Sequence, residues 1–279
     1  MIELITDSTS DISQEEAAAL GVRVLPLIVN FGEESFRDGI DITNADFYQR
    51  LRRAETLPTT SQINPDSFLT IFQEVLDRGN QAVGIFLSSE LSGTYQSARI
   101  ARDILDSEDI FVVDSRHVAM SLSLLVTEAV RLRDEGRSAA ELTEEVNALR
   151  EKLRLYAVVD TLKYLKMGGR ISAATAAVGG VLGITPIIAV QDGKVESAGK
   201  SRGRKAGIQW IYDKVTEEGV DLSRPMGFVH TDCTEALEAM ETAFSDTAAQ
   251  VPAVYRKEIG AVVGTHAGPG AAGIAFFAK

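Results

Sequence analysis

Hydroxyl groups, glycines and a histidine gather in two short segments, Leu87-Ser88-Ser89-Glu90-Leu91-Ser92-Gly93-Thr94-Tyr95 and Gly264-Thr265-His266-Ala267-Gly268-Pro269-Gly270. Each follows an apolar, strand-like run. Glycine admits unusual backbone angles and lets N–H groups approach a ligand, while Ser and Thr hydroxyls and an imidazole N–H donate to an oxyanion. The chemistry indicated is recognition of a carboxylate or phosphate. Ser92-Gly93-Thr94 leads into a helical run, Tyr95–Leu105, whose free N–H groups and dipole face the same loop. Ser92 either caps that helix, as serine routinely does, or donates to a ligand. His266 is expected in a tight loop among Gly264, Gly268 and Gly270, with one ring N–H available to a ligand oxygen. His117, near a helix start, and His230, at a strand end, have no companion motif and read as structural.

Further polar segments are Thr6-Asp7-Ser8-Thr9-Ser10-Asp11, Pro58-Thr59-Thr60-Ser61-Gln62 and Asp114-Ser115. With the Ser88–Tyr95 loop they are expected at the carboxyl edge of a parallel sheet, where ligands of open α/β folds bind. In Lys166-Met167-Gly168-Gly169-Arg170-Ile171-Ser172 the paired glycines let Arg170 reach an anion or a partner while Ile171 buries. Lys200-Ser201-Arg202-Gly203-Arg204-Lys205 is a basic patch, either a solvated helix start or a contact for an acidic or phosphate-bearing partner. Other chemistries lack their motifs. No Gly-x-Ser-x-Gly elbow surrounds Ser92, and neither a Walker loop nor a Gly-x-Gly-x-x-Gly turn occurs. Nor is there a close His and carboxylate set for a metal, so the expectation is no metal and no cofactor.

The elements that must position these groups are legible as alternation. Strands are expected near Ile2–Ile5, Val22–Val29, Gln81–Leu87 and Ile110–Asp114, separated by amphipathic helices, the pattern of a covered parallel sheet. Ser13 with Glu16 and Ser138 with Glu141 form capping boxes, and Asn64-Pro65 opens another helix that stops at Gly79. A long helix is expected from about His117 to Gly136. Beyond residue 154 the texture changes, with a strand Leu155–Val159 and a hairpin of Thr185–Val190 and Lys194–Ser197 about Asp192-Gly193. A helix Arg204–Glu218, a strand Gly227–His230, a helix Glu235–Phe244 and strands Val254–Ile259 and Ile274–Phe277 follow. The fold class expected is α/β in two domains, an N-terminal parallel-sheet α/β domain over 1–154 and a C-terminal α+β domain over 155–279 with antiparallel pairs.

Composition bounds the rest. A chain of 279 residues, 45% hydrophobic and 24% charged, suits a globular protein, and its net charge of −12 argues against a nucleic-acid surface. Cys233 is the sole cysteine, which excludes an intrachain disulfide and points to a reducing cytoplasm. No stretch approaches the roughly 18 apolar residues of a membrane span, and the N-terminus has no basic signal region.

Taken in order, the Thr6–Asp11, Pro58–Gln62, Leu87–Ala98, Gly168–Ser172 and Gly264–Ala271 segments make the chain resemble the DegV family of bacterial fatty-acid-binding proteins, which includes the FakB-type subunits of fatty acid kinases. The resemblance spans nearly the whole chain. It implies a ligand site between two α/β domains, holding one long-chain fatty acid such as palmitate, stearate or oleate in an apolar tunnel. It maps the carboxylate donors onto Thr60, Ser92, the Gly93 N–H and His266, and places Arg170 and Arg202 near the head group or a docked kinase. It further implies a carrier without catalytic residues that presents its cargo to a separate kinase for acyl-phosphate formation and phospholipid synthesis, with transient membrane contact allowed. Thr185 stands where many relatives carry Lys, a departure that leaves the carboxylate donors intact. Two alternatives use the same residues differently: a serine acyl hydrolase or transferase built on Ser92 and His266, and a lipid-responsive interaction module acting through Lys200–Lys205.

Overall fold

The computed structural model describes residues 1–171 and 183–279, so Ser172 of the Gly-Gly-Arg-Ile-Ser segment lies outside the described residues. The chain begins with β1 (Ile2–Asp7), a single 3-10 turn, α1 (Gln14–Leu20) and β2 (Val22–Leu25). The Ser13–Glu16 capping box forms as expected and starts α1. The strand expected over Val22–Val29 is in fact two. Pro26 has no N–H for the ladder, so β2 stops before it and the chain resumes as β3 (Ile28–Phe31) in a different sheet.

Next come β4 (Glu34–Arg37), α2 (Asn44–Arg53), β5 (Thr59–Ser61), α3 (Pro65–Asp77), β6 (Gln81–Phe86), α4 (Thr94–Leu105) and β7 (Ile110–Asp114). Strands β2-β1-β6-β7 form the expected parallel sheet, in that order. The Pro58–Gln62 segment corrects an expectation. It does not lie on the parallel edge; it forms β5 of a small antiparallel sheet ordered β4-β3-β5, with Thr60 opposite Val29. Helix α3 starts with Asn64 as N-cap and Pro65 in its first turn, the arrangement read from the sequence.

The long helix expected from His117 is shorter, α5 (Met120–Asp134), and α6 (Ala139–Lys152) follows with the Ser138–Glu141 capping box in place. The remaining elements are β8 (Leu153–Val158), α7 (Lys163–Met167), β9 (Ile184–Gln191), β10 (Lys194–Arg202), α8 (Arg204–Glu218), β11 (Met226–His230), α9 (Thr234–Ala243), α10 (Ser245–Ala248), β12 (Val254–Glu258), α11 (Ala261–Ala267) and β13 (Ala272–Phe277). The second sheet runs β10-β9-β8-β13-β11-β12. It is mixed rather than antiparallel throughout, because β12 pairs with β11 in parallel across the α9–α10 connection.

Strand alternation divides the packing. Tyr156, Val158, Ile187 and Ala189 face α8 and α9 in one hydrophobic cluster, with Ile211 and Met240 among their partners. Leu155, Ala157, Val159, Ile188 and Val190 point the other way and join the core of the parallel sheet. The carboxyl edge of the first sheet therefore meets one face of the second. Among the described residues, no helix is long and apolar enough to cross a membrane.

Candidate functional site

Between those two surfaces lies a cavity with an empty volume of about 1070 Å³, the solvent at its mouth included. That compares with the largest small-molecule sites. Loops after β1, β6 and β7 contribute Thr9, Leu87 with Leu91 to Gly93, and Val118 with Ala119, while β8, β9, β11 and β13 contribute the opposite wall. The body is apolar, built from such residues as Val118, Leu155, Val190, Val195, Val229 and Ile259.

The polar lining is grouped by contacts that run in a ring. Thr60 Oγ1 and His266 Nε2 are 3.0 Å apart. The other ring nitrogen, Nδ1, faces Gly168 so closely that a Cβ there would stand 2.1 Å away. Gly168 offers its carbonyl to Arg170 Nη1, and Arg170 Nε donates to the Leu91 carbonyl at 3.2 Å. Ser92 and Gly93 follow, and a Cβ on Gly93 would lie 2.1 Å from Gln62 Oε1, two residues beyond Thr60. Gln62 is anchored by donating to Ser97 Oγ at 3.0 Å. Glycine at 93 and 168 is thus what lets the ring close.

Ser92 does not occupy the cap position expected of it, yet its hydroxyl serves the same first turn. Gly93 is the N-cap of α4 and makes no side-chain cap bond, while Ser92 Oγ accepts the Thr94 N–H at 3.2 Å and lies 3.1 Å from Thr94 Oγ1. The Ser92 hydroxyl proton can be turned toward the cavity or toward Thr94. Among the described residues the Gly93 N–H has no acceptor, and it sits at the positive end of the α4 dipole.

Histidine 266 is not in a tight loop. It lies on α11, whose first N–H groups are held by distant carboxylates: Gly260 N–H donates to Asp11 Oδ1 and Ala261 N–H to Asp38 Oδ1, each at 2.9 Å. The glycines after it do form the turn, with Gly268 at φ 71° and Gly270 at φ 88°. Burial, reinforced by the Arg170 charge, depresses the His266 pKa to about 4, so the imidazole is neutral near pH 7. Its Nδ1 is buried without a hydrogen-bond partner among the described residues. Arg170 is half-buried, burial lowers its pKa, and its recorded bonds go to carbonyl oxygens rather than to a carboxylate. Among the described residues the ring therefore presents two hydroxyls, a free N–H, a neutral imidazole and a guanidinium with no carboxylate partner.

Thr60, Ser92, Gly93, Arg170 and His266 thus line one cavity, whereas Arg202 does not. Arg202 is exposed at the end of β10, opposite Ile184, and Thr185 pairs with Ser201 in the same hairpin. In the basic patch, Arg204 is committed to Asp160 and to the Gly270 carbonyl. A hydrolytic triad would need Ser92 bonded to His266 and an acid on Nδ1; here Ser92 contacts Thr94, and Nδ1 faces Gly168. His117, just before α5, is 2.9 Å from the Arg150 carbonyl through Nε2; His230, at the end of β11, accepts the Cys233 N–H and, unlike its expected place apart from the site, also lines the cavity. Asp7 accepts from Thr9 and from the Leu87 N–H, so it ties β1 to the β6 loop rather than reaching into the cavity. Among the described residues no group of three or more His, Cys, Asp or Glu could hold a metal.

Three kinds of likeness bear on this arrangement. A family model described as "Uncharacterised protein, DegV family" matches residues 1–279. A DegV domain-containing protein of Caldanaerobacter subterraneus subsp. tengcongensis is 39% identical over 279 residues, covering 100% of this chain and 99% of its own. A solved structure described as fatty acid binding of a DegV family protein from Thermus thermophilus superposes with a TM-score of 0.92 at 33% identity, covering 100% of this chain and 99% of that one. A structure of DegV from Bacillus subtilis, described as a fatty acid binding protein, superposes at 0.88 with 30% identity and coverage of 100% and 99%. With the family model matched from end to end, this chain belongs to the DegV family.

Proposed function

We propose that the protein binds a long-chain fatty acid, its tail in the apolar cavity and its carboxylate at the ring formed by Thr60, Ser92, the Gly93 N–H and His266. The observation that carries this reading is the apolar lining that meets Thr60, Ser92, the Gly93 N–H and His266 beside a guanidinium with no carboxylate partner among the described residues. The likeness to a fatty-acid-binding structure at 33% identity supports it. Each buried methylene contributes about 0.8 kcal/mol, so the tail dominates affinity. A carboxylate about 4 Å from Arg170 gains on the order of 4 kcal/mol at an effective dielectric of 20, against the cost of leaving water. That term orients the acid more than it tightens it.

The protein is then a carrier, with Arg170 at the head group and Arg202 on the exposed hairpin as the contacts for a kinase that phosphorylates the carboxylate. The division of labour between residues 1–154 and 155–279 follows, since each part supplies one wall. Native mass spectrometry after gentle purification tests the binding: a retained mass matching a fatty acid is the expected result, and a protein that stays empty and rejects added palmitate and oleate overturns it. Acyl-phosphate formation on mixing with a fatty acid kinase, lost in Arg202→Ala with lipid still bound, tests the presentation step.

A further inference from the structure

Asp192-Gly193 closes the β9–β10 hairpin with both residues at positive φ, 48° and 82°, the turn geometry that keeps two strands tightly paired. The ribbon so formed outruns the strand beside it. Among the described residues β9 pairs with β8 only through Ile187, Ile188 and Ala189, opposite Val158, Ala157 and Tyr156. Val190 and Gln191 continue past that ladder, while Leu153 to Leu155 of β8 pair on the β13 side alone. At the base of the ribbon β10 carries a register shift between Ser197 and Gly199, an irregularity at which strands bend. Residues 190–195 are therefore a two-stranded tip cantilevered from a bent base.

The tip stands between two spaces. Val190 and Val195 line the acyl cavity on one side. On the other, residues 190–193 face Leu153 and Arg154 across a crevice of about 1050 Å³, the solvent at its mouth included. Val190 borders both, so the wall there is one residue thick, and the tip has room to swing away from the cavity.

Among the described residues two polar contacts hold the tip against the first sheet. Ser88 Oγ donates to the Gly193 carbonyl at 2.7 Å, and Lys194 Nζ lies 3.4 Å from Glu90 Oε2. Both partners of the ion pair are about half exposed, so it is worth little. The hydrogen bond is the firmer tie. Ser88 is fully buried and fixed: its N–H donates to the His117 carbonyl at 3.0 Å, and its own carbonyl accepts the Leu91 and Ser92 N–H groups. The tip is thus the partner that moves. Gly193 permits the close approach, since a Cβ there would stand 2.5 Å from Ser88 Oγ.

We propose that the β9–β10 tip is a gate through which the acyl chain enters and leaves the cavity, latched by the Ser88–Gly193 hydrogen bond. The cargo, though not the motion, rests on the fatty-acid reading, and two readouts separate them. In stopped-flow measurements with a fluorescent fatty acid, Ser88→Ala should raise the association and dissociation rates together, about fivefold for one hydrogen bond, and leave Kd within twofold. A dibromobimane bridge between Glu90→Cys and Lys194→Cys, in a Cys233→Ser background, should slow both rates at least tenfold relative to the unbridged protein. Hydrogen exchange read by mass spectrometry needs no ligand. Peptides over 190–195 should exchange at least tenfold faster than those over 184–189, and Ser88→Ala should accelerate the tip alone. Rates indifferent to both the substitution and the bridge, in a protein that binds the fatty acid, overturn the gate, and so does a tip as protected as its base. A wild-type protein that binds no fatty acid while its tip exchanges fast and responds to Ser88→Ala supports the moving hairpin and overturns the carrier reading.

Discussion

The two ends of α11 are the most instructive pair of regions in this molecule. At its N-terminus, Asp11 and Asp38 accept the Gly260 and Ala261 N–H groups, and Ser8 Oγ donates to Asp38 while accepting the Leu27 N–H. At its C-terminal end, His266 meets Thr60 but, among the described residues, leaves Nδ1 unmatched beside an Arg170 without a carboxylate partner. Both ends are polar and buried. At the first, the carboxylates are tied into backbone and hydroxyl groups, with only Asp11 Oδ2 left without a partner among the described residues, and so hold the fold; the second lines the apolar cavity and so can hold a ligand. Substitutions at the first end should therefore move stability, and those at the second should move affinity.

The largest effect is expected from Asp38→Ala. It strips the acceptors from the buried Ser8 hydroxyl and Ala261 N–H, and a buried donor left without a partner costs about 1–3 kcal/mol. A loss of about 3 kcal/mol in urea unfolding is expected; unchanged stability would break the comparison outright. Next is Asp11→Asn. Burial, with a contribution from the Asp38 charge, pushes the Asp11 carboxyl up to about 8 from its ordinary 3.8. Between those values the folded state keeps a proton that the unfolded state has lost, so stability falls as pH rises through that window. The asparagine cannot titrate. Its stability relative to wild type should grow by at least the ~1.4 kcal/mol of one pKa unit between pH 5 and pH 8, while His117 and His266 titrate alike in both proteins and cancel. A pH-independent difference would contradict the assignment of that proton to Asp11.

The same contrast explains what could be read from the sequence. Local signals were sufficient for α1, α3 and α6, because their caps lie within three residues of the helices they start, as Ser13 does with Glu16. The hairpin turn at Asp192-Gly193 was legible for the same reason. Helix α11 was not. Its valines and glycine suit a strand or loop locally, and the carboxylates that cap it come from 249 and 223 positions away. Likewise Pro26 announced a break in the Val22–Val29 run, but nothing local said that the two pieces would enter different sheets. Of the site, the hydroxyls, Gly93, Arg170 and His266 were visible as residue types set among glycines. Gln62 was visible only as part of a motif, since its packing on Gly93 is a contact across 31 positions that no periodicity records. The apolar walls were hidden too, because β8 is buried on both faces and its alternation carries no polar mark.

At the ligand end, Gly168→Ala sharpens the comparison. The backbone there, at φ −75°, accepts alanine, but the new methyl would sit 2.1 Å from His266 Nδ1. The imidazole must swing away, and Thr60 loses its partner. Fatty-acid affinity should fall about tenfold, roughly 1.4 kcal/mol, with a much smaller change in the unfolding midpoint.

Ser92→Ala should be the mildest of the series and the most discriminating. The hydroxyl it removes accepts the Thr94 N–H and is the one proposed to meet a carboxylate, so the two ends of the comparison meet in one atom. If its service to the helix dominates, stability falls by about 1 kcal/mol, as for loss of a capping side chain, and fatty-acid affinity stays level. If its service to the ligand dominates, stability holds. Affinity for palmitate, measured by displacement of a fluorescent fatty acid, then drops about fivefold, the worth of one hydrogen bond of about 1 kcal/mol. The second outcome is the one expected, because Gly93 rather than Ser92 occupies the cap position and Ser92 lines the cavity.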